Sequence, residues 1–515
     1  MSLDADATKK YLAACFICAG KELAQKSLEK YSTFESPQIQ TRTSHLRSTT
    51  TSIRKPTNMG CPITQLPSEI LNEILDIAVA DGSWKHGVYT ISSICRAFHE
   101  YSQLFRFREI SLLRYYGHSL APACERVKKL YALVHADAAL AGHCKRFSFG
   151  LPSIRAPSDQ YYFNSIPSDY VLGDKLMKLL PNIAKLEIQG GFSHKLTWPF
   201  LKQALCSMKY LDSVKFECSE DNDSEPDLFL PEAWDCVQGL LKLERLELRN
   251  IRLPKNGSIW KLSENAISTS PIRNILLTDF GETPDPLGRL LNQPKALEHF
   301  SLHITIENRD SGVWSLETIR GLLYNRRASL KSITLGALSK RDSFSISSLL
   351  CLQDFSQLKS LALSRWDMGA DVTPEVACNT LLGPSLESFQ WDFTNPEREC
   401  WGSFGTEQKD WLLRFAKLAI DLKSKLKKIR IVFNPPSDDE EHGRAIWEQM
   451  FRFWPWDLMD EVRDAVSPDI EVTYNGHVTE QECEWLIDPY QRELFGINDT
   501  SSEDDEEDEN EEEDA

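Results

Sequence analysis

An apolar residue, two free positions, then two apolar residues with one free position between them form a short phrase. It returns eleven times, beginning at Phe107, Cys144, Ile183, Leu211, Leu243, Ile272, Leu297, Leu330, Leu358, Leu386 and Leu426. The clearest copy is Leu243-Glu244-Arg245-Leu246-Glu247-Leu248. One copy reads like any buried strand with a hydrophobe before it. Eleven copies in one frame require a repeat whose units bury their apolar sides against one another. Because neighbours in a strand alternate sides, positions four and six of each phrase build a core, while positions three, five and seven face away from it.

The starts are 25 to 40 residues apart, enough for a strand, a turn, a helix of about ten residues and a return. Helical apolar spacing occurs between the phrases, as at Leu316, Ile319, Leu322 and Leu323. A longer stripe places Trp411, Leu412, Phe415, Leu418, Ala419 and Leu422 on one face of a helix over 406–426. Segments 221–231 and 434–441 read as surface loops. Beyond the last phrase, 445–466 reads as a helix interrupted at Pro455, and Ile470 to Tyr474 as a terminal strand. The tryptophans Trp447, Trp454, Trp456 and Trp485 suit a cap over the last repeat. The phrase resembles the strand-bearing core of the leucine-rich repeat. The expected fold class is therefore α/β: a solenoid with a curved parallel sheet and helices on its convex side.

Composition narrows the function classes. The net charge of −18 is concentrated, since 11 of the 12 residues from Glu503 to Asp514 are acidic and the remainder carries −18 + 11 = −7. No basic face invites nucleic acid. The acidic run cannot bury apolar area, so 503–515 is expected to be a disordered, solvated tail. No stretch approaches the roughly 20 apolar residues of a membrane helix. The sequence opens without a basic, apolar leader, and its 13 cysteines are scattered, so a reduced cytoplasmic or nuclear setting is expected. Cys15-Phe16-Ile17-Cys18 is a lone C-x-x-C with no second ligand pair.

Residues 1–60 read as an extension: a weak helix, then a linker in which 12 of the 27 residues from Ser32 to Asn58 are Ser or Thr. A different unit occupies 61–112. It opens Leu66-Pro67-Ser68-Glu69-Ile70-Leu71-Asn72-Glu73-Ile74-Leu75, with proline preset for a first helical turn and a wide apolar stripe behind it. A second helix carries Ile91, Ile94, Cys95 and Phe98, and Phe105-Arg106-Phe107-Arg108-Glu109-Ile110 leads into the first phrase. This order of motifs resembles the F-box, over about a tenth of the chain. The loop from Asp81 to Tyr89 is longer and more polar than that family's usual connection.

The resemblance implies docking on a Skp1-like adaptor of a cullin-RING (SCF-type) ubiquitin ligase, with the repeats holding a protein substrate. Carried over by position, Leu66, Pro67, Ile70, Leu71, Ile74 and Leu75 would form the first contact surface. Ile94, Cys95 and Phe98 would form the second. The alternative use of these helices is to cap the repeats, and the alternative function is an interaction scaffold with no role in degradation. The repeats would fill 113–476 and a capping segment 477–502.

No P-loop, G-x-G-x-x-G, G-x-S-x-G or H-E-x-x-H occurs. The expectation is a non-enzymatic adaptor without cofactor or metal, binding protein rather than nucleic acid or membrane. His299 and His303 share one side of a strand but stand about 13 Å apart, too far to chelate one ion. Lys423, Lys425, Lys427 and Lys428 read as a solvated helix end, with a localisation signal or a contact with the acidic tail as the alternatives. The phrase frame places charges outward in the early copies, including Arg245 and Arg249. The middle copies carry His303, Ser332, Thr334, Ser360 and Ser364, and charge returns with Asp392 and Arg430. The small middle is expected to admit a partner segment, with the flanking charges orienting it.

Overall fold

The computed structural model describes residues 107–113, 121–151, 166–190, 192, 197–218, 228–252, 270–305, 309, 312–338, 350–368, 372–393, 404–432 and 456–474. Twelve strands stand in chain order in one parallel sheet. They are β1 (Glu109–Leu112), β2 (Arg146–Leu151), β3 (Lys185–Gly190), β4 (Ser213–Glu217), β5 (Arg245–Arg252), β6 (Asn274–Gly281) and β7 (His299–Ile304), then β8 (Ser332–Leu335), β9 (Ser360–Ser364), β10 (Ser388–Asp392), β11 (Lys428–Val432) and β12 (Glu471–Tyr474). Each of the first eleven begins two residues after a phrase start. The fold is α/β, a solenoid-like repeat of strand and helix.

The helices between them are α1 (Ala121–Ala136), α2 (Ala138–His143), α3 (Ile166–Leu179), α4 (Thr197–Ser207) and α5 (Leu230–Val237), then α6 (Pro284–Leu291), α7 (Leu316–Leu323), α8 (Pro374–Leu381), α9 (Thr406–Asp421) and α10 (Trp456–Val466). The described residues fall into two compact units, one within Met1–Leu151, Ala156–Ile188 and Gln203–Leu211, the other within Pro152–Arg155, Gln189–Lys202 and Asp212–Ala515.

In the first unit β1 pairs with β2 from Glu109↔Arg146 to Leu112↔Phe149. Phe147 and Phe149 are buried with ring centroids 6.0 Å apart. Cys144, the opening residue of its phrase, is fully buried, and burial pushes its thiol up to about 12. It is a packing residue with no thiolate to offer. Asn182 donates through Nδ2 to the Gly142 carbonyl at 2.8 Å, tying the turn before β3 to the end of α2.

In the second unit a single hydrogen-bond device sets the register. The carbonyl of the second residue of a phrase accepts N–H groups from the second and third residues of the next. Glu244 O accepts from Arg273 at 2.8 Å and Asn274 at 2.9 Å; Glu298 O accepts from Lys331 at 2.7 Å and Ser332 at 3.0 Å. Lys331, Lys359 and Glu387 repeat the arrangement toward β9, β10 and β11. Register is thus fixed at the strand starts, and a slip of one residue would turn every buried side chain outward.

Positions one, four and six then stack into the core: Leu243, Leu246 and Leu248, or Leu330, Ile333 and Leu335, are no more than 1% exposed. Burying each such side chain contributes about 1.5–3 kcal/mol before the entropy of ordering it is subtracted. Helices cover this side of the sheet. Phe389 of β10 meets Phe415 of α9 at 5.4 Å, and Trp391 meets Trp411 at 4.8 Å. Helix starts follow from local chemistry. Thr373 caps α8 by accepting the Val376 N–H, with Pro374 in the first turn; Ser315 caps α7 by accepting the Thr318 N–H.

Three expectations are corrected. Pro231, assigned above to a loop, lies in the first turn of α5, where its missing N–H costs nothing. Leu422 does not belong to the buried stripe of α9: it is the residue after the helix and is 60% exposed, while Ala416 is buried in its place. Ser364 is turned to the face the frame assigns but is only 3% exposed. The terminal helix is described from Trp456, which is 1% exposed and packs as a cap would. Trp447, Trp454 and Trp485 lie outside the described residues. So do the extension, the 477–502 segment, the acidic run, and all of 61–106, which holds every residue carried over from the F-box resemblance.

Candidate binding face of the sheet

The ladder pairing brings the outward positions of successive phrases into columns. The third positions run Ser213, Arg245, Asn274, His299, Ser332, Ser360, Ser388, Lys428, each paired with the next across β4 to β11. The fifth run Lys215, Glu247, Leu276, Ser301, Thr334, Ala362, Gln390, Arg430. The seventh positions, among them Arg249, Thr278, His303, Gly336, Ser364 and Asp392, stand at the carboxyl ends of the strands, where the β6–β7 register shifts between Leu277 and Phe280 and the column is broken. All nine residues singled out above lie on this one face, yet they do not form one pocket. Arg245 on β5 and Arg430 on β11 are six strands apart, about 29 Å at the usual spacing.

On the β4–β5 flank the charges are occupied with one another. Lys215 lies 2.5 Å and Arg249 3.5 Å from Glu217, and Arg245 lies 3.1 Å from Glu247. The middle is differently built. Ser332, Thr334 and Ser360 are half-buried, and Ala362 is 6% exposed. The Ser364 hydroxyl accepts the Trp366 N–H at 3.3 Å, capping the short 3-10 turn Arg365–Asp367, so that hydroxyl serves the fold.

His303 is the most constrained group on the face. A Cβ placed on Gly336 would lie 2.5 Å from its Nδ1, so the imidazole lies directly against the backbone of the residue after β8. Burial holds its pKa below the usual histidine value; Asp392 and Asp279 oppose that, while Arg309 and Arg249 reinforce it. The ring is therefore neutral at physiological pH, a donor and acceptor rather than a cation. Asp392 is half-buried and Arg430 exposed.

Sequence reasoning missed the buried polar groups at the carboxyl ends of the strands. Asp367 is 2% exposed; its Oδ1 accepts the Leu338 N–H at 2.8 Å, joining the end of β8 to the turn after β9. Burial pushes its carboxyl up to about 8, against the opposing pull of Arg309. Arg309, itself 7% exposed, donates to the Ile304 carbonyl at 3.2 Å. Glu282, 2% exposed, accepts the Leu230 N–H at 3.4 Å and is pushed up to about 7, again chiefly by burial. Nothing in a stretch such as Arg365-Trp366-Asp367-Met368 separates a buried aspartate from a surface one. Only the neighbouring phrases supply the burial.

Among the described residues no group of His, Cys, Asp and Glu is placed to hold a metal ion, and no helix is long and apolar enough to cross a membrane. Compared with known proteins, the chain matches no protein-family model, and no curated protein shows significant similarity to it.

Proposed function

We propose that this chain is a non-enzymatic adaptor. The open sheet face holds a protein partner, and the segment at 61–112 docks on a Skp1-like subunit of a cullin-RING ligase, so that the partner is presented for ubiquitination. The observation that carries the binding part is the in-register face itself. Side chains from β5 to β11 are presented at fixed spacing over about 29 Å, a length suited to an extended segment or a helix of another protein. A solenoid that exposes ordered columns is built for recognition over a surface rather than for chemistry at a point. Support for the Skp1 part is the order of motifs from Leu66 to Ile110, and nothing else.

Co-purification of the full chain with Skp1, abolished by the combined Leu66→Ala, Pro67→Ala and Ile70→Ala substitutions, tests docking. Absence of Skp1 from the intact protein would leave the sheet face as that of a scaffold with no role in degradation. Partner capture is tested separately by Ser332→Lys with Thr334→Lys, which fills the middle of the face without touching 61–112. Lost capture with retained Skp1 binding is the expected outcome. Unchanged capture would remove the middle of the face from the binding role.

A further inference from the structure

The densest cationic run in the second unit stands where the other charges of the sheet leave off. Lys423-Ser424-Lys425-Leu426-Lys427-Lys428-Ile429-Arg430 carries five cations in eight residues and no acid. It winds from the end of α9 over the rim and onto the open face. Lys423 sits just beyond the helix with φ 52, where the Ser424 N–H reaches back to the Ala419 carbonyl at 3.0 Å. Leu426, Ile429 and Ile431 turn inward, at most 5% exposed, which sends Lys425, Lys427 and Arg430 into solvent.

Elsewhere along the same rim cations are matched. Glu298 lies 3.1 Å from Arg273 and 2.8 Å from Lys331, and Glu387 lies 3.6 Å from Lys359. Among the described residues, Lys428 alone in the run has such a match, Glu471 at 3.3 Å. Asp421 stands nearby at the end of α9, but Lys423, Lys425, Lys427 and Arg430 form no ion pair among the described residues.

The same chain carries the opposite pattern, 11 acids among the 12 residues from Glu503 to Asp514. We propose that this acidic run docks on the lysine patch at 423–427, an intramolecular contact at the β11 flank of the binding face. Reach is not limiting. Tyr474 ends β12, which pairs directly with β11 through Lys428↔Glu471 and Ile431↔Tyr474. The path from Tyr474 back to the start of β11 is three residues, about 10 Å along the strand. The 28 residues between Tyr474 and Glu503 can span up to about 95 Å. Tethering at such lengths gives an effective concentration in the millimolar range, so weak, many-charge attraction suffices. Held there, the run would screen the Arg430 side of the face from acidic partners and leave the small middle open. The inference does not depend on the Skp1 reading.

Zero-length carbodiimide cross-linking of the dilute, full-length monomer, read by mass spectrometry, tests it. The expected result is amide links from carboxylates of 503–514 to Lys423, Lys425 and Lys427. Their yield should fall several-fold at about 1 M salt, where the Debye length is about 3 Å. The K423E/K425E/K427E variant has no amine at these positions and serves as the blank; links should return, now through its new glutamates, when the acidic run of that variant is replaced by lysines. These side chains are exposed, and an unchanged thermal unfolding curve confirms that the variant folds. Links spread over the exposed lysines without preference, links found only in dimers, a yield indifferent to salt, or no links in the charge-exchanged variant would each overturn the contact.

Discussion

The β4–β5 flank of the sheet and its β7–β9 middle share one backbone plan and differ in everything that faces outward. Both are held by the same carbonyl device at the strand start, and both bury positions four and six completely. On the flank, outward positions carry long charged side chains that satisfy one another along and across the strands. In the middle they carry hydroxyls, two histidines, an alanine and a glycine, and the polar work moves to the strand ends, where Asp367 and Arg309 are buried. A repeat can therefore vary its outer face freely because its fold is specified by the other face and by the rim.

The strongest way to break this comparison is to cut the shared part. Leu248→Ala in β5 and Leu335→Ala in β8 remove side chains that are 0% and 1% exposed, and each should cost about 2–5 kcal/mol in denaturant unfolding. Nearly equal costs would mean that flank and middle are one core with two surfaces. A cost confined to one of them would make them energetically separate.

A smaller effect is expected where the two regions differ most. Gly336→Ala forces His303 away, since the new Cβ has no room beside Nδ1, and should cost about 1–3 kcal/mol. Alanine at the corresponding flank position, Arg249→Ala, shortens a side chain instead of adding an atom against its neighbour, and should cost well under that. If the clash is the cause, His303→Ala should recover much of the Gly336→Ala loss in a double-mutant cycle. Simple additivity of the two changes would refute it.

Asp367 sharpens the comparison by pH. Its carboxyl titrates near 3.8 when unfolded and is raised to about 8 by burial in the folded chain. The folded state thus binds the proton more tightly. Its stabilising effect is complete below the unfolded value and is lost as pH rises through the folded one, between about pH 4 and pH 8. The slope over that window is at most about 1.4 kcal/mol per pH unit for one proton. Asp367→Asn keeps an oxygen for the Leu338 N–H and should flatten the slope; an unaltered slope would acquit this residue. Glu282, at the end of β6, is raised to about 7 and should contribute in the same direction over a narrower window.

Much of this fold was legible in the chain. The eleven phrase starts locate eleven strands because apolar side chains at positions one, four and six have only one place to go. The outward columns follow from alternation alone. Two kinds of feature were not legible. Helix ends such as Leu422 depend on where the backbone turns left-handed, at Lys423, rather than on the apolar stripe. Burial on the outer face, at Ser364 and Asp367, depends on what neighbouring phrases bring over it, and a single phrase carries no record of that.

The smallest effect closes the comparison. The flank ladder of Lys215, Glu217 and Arg249 is half-solvated, with side chains 18–43% exposed. Such pairs contribute about 0.2–1 kcal/mol or nothing measurable, because ordering two long side chains offsets their attraction in water. Glu217→Gln should therefore leave the unfolding midpoint almost unchanged. It also frees Lys215 and Arg249 from their shared anion, so the flank gains net positive charge facing any bound partner. If these charges orient a partner, its association rate should change with Glu217→Gln and more so at low salt, while its dissociation rate stays nearly constant. A variant with altered stability but unaltered association would assign the ladder to the fold, and the two regions would then differ in appearance without differing in use.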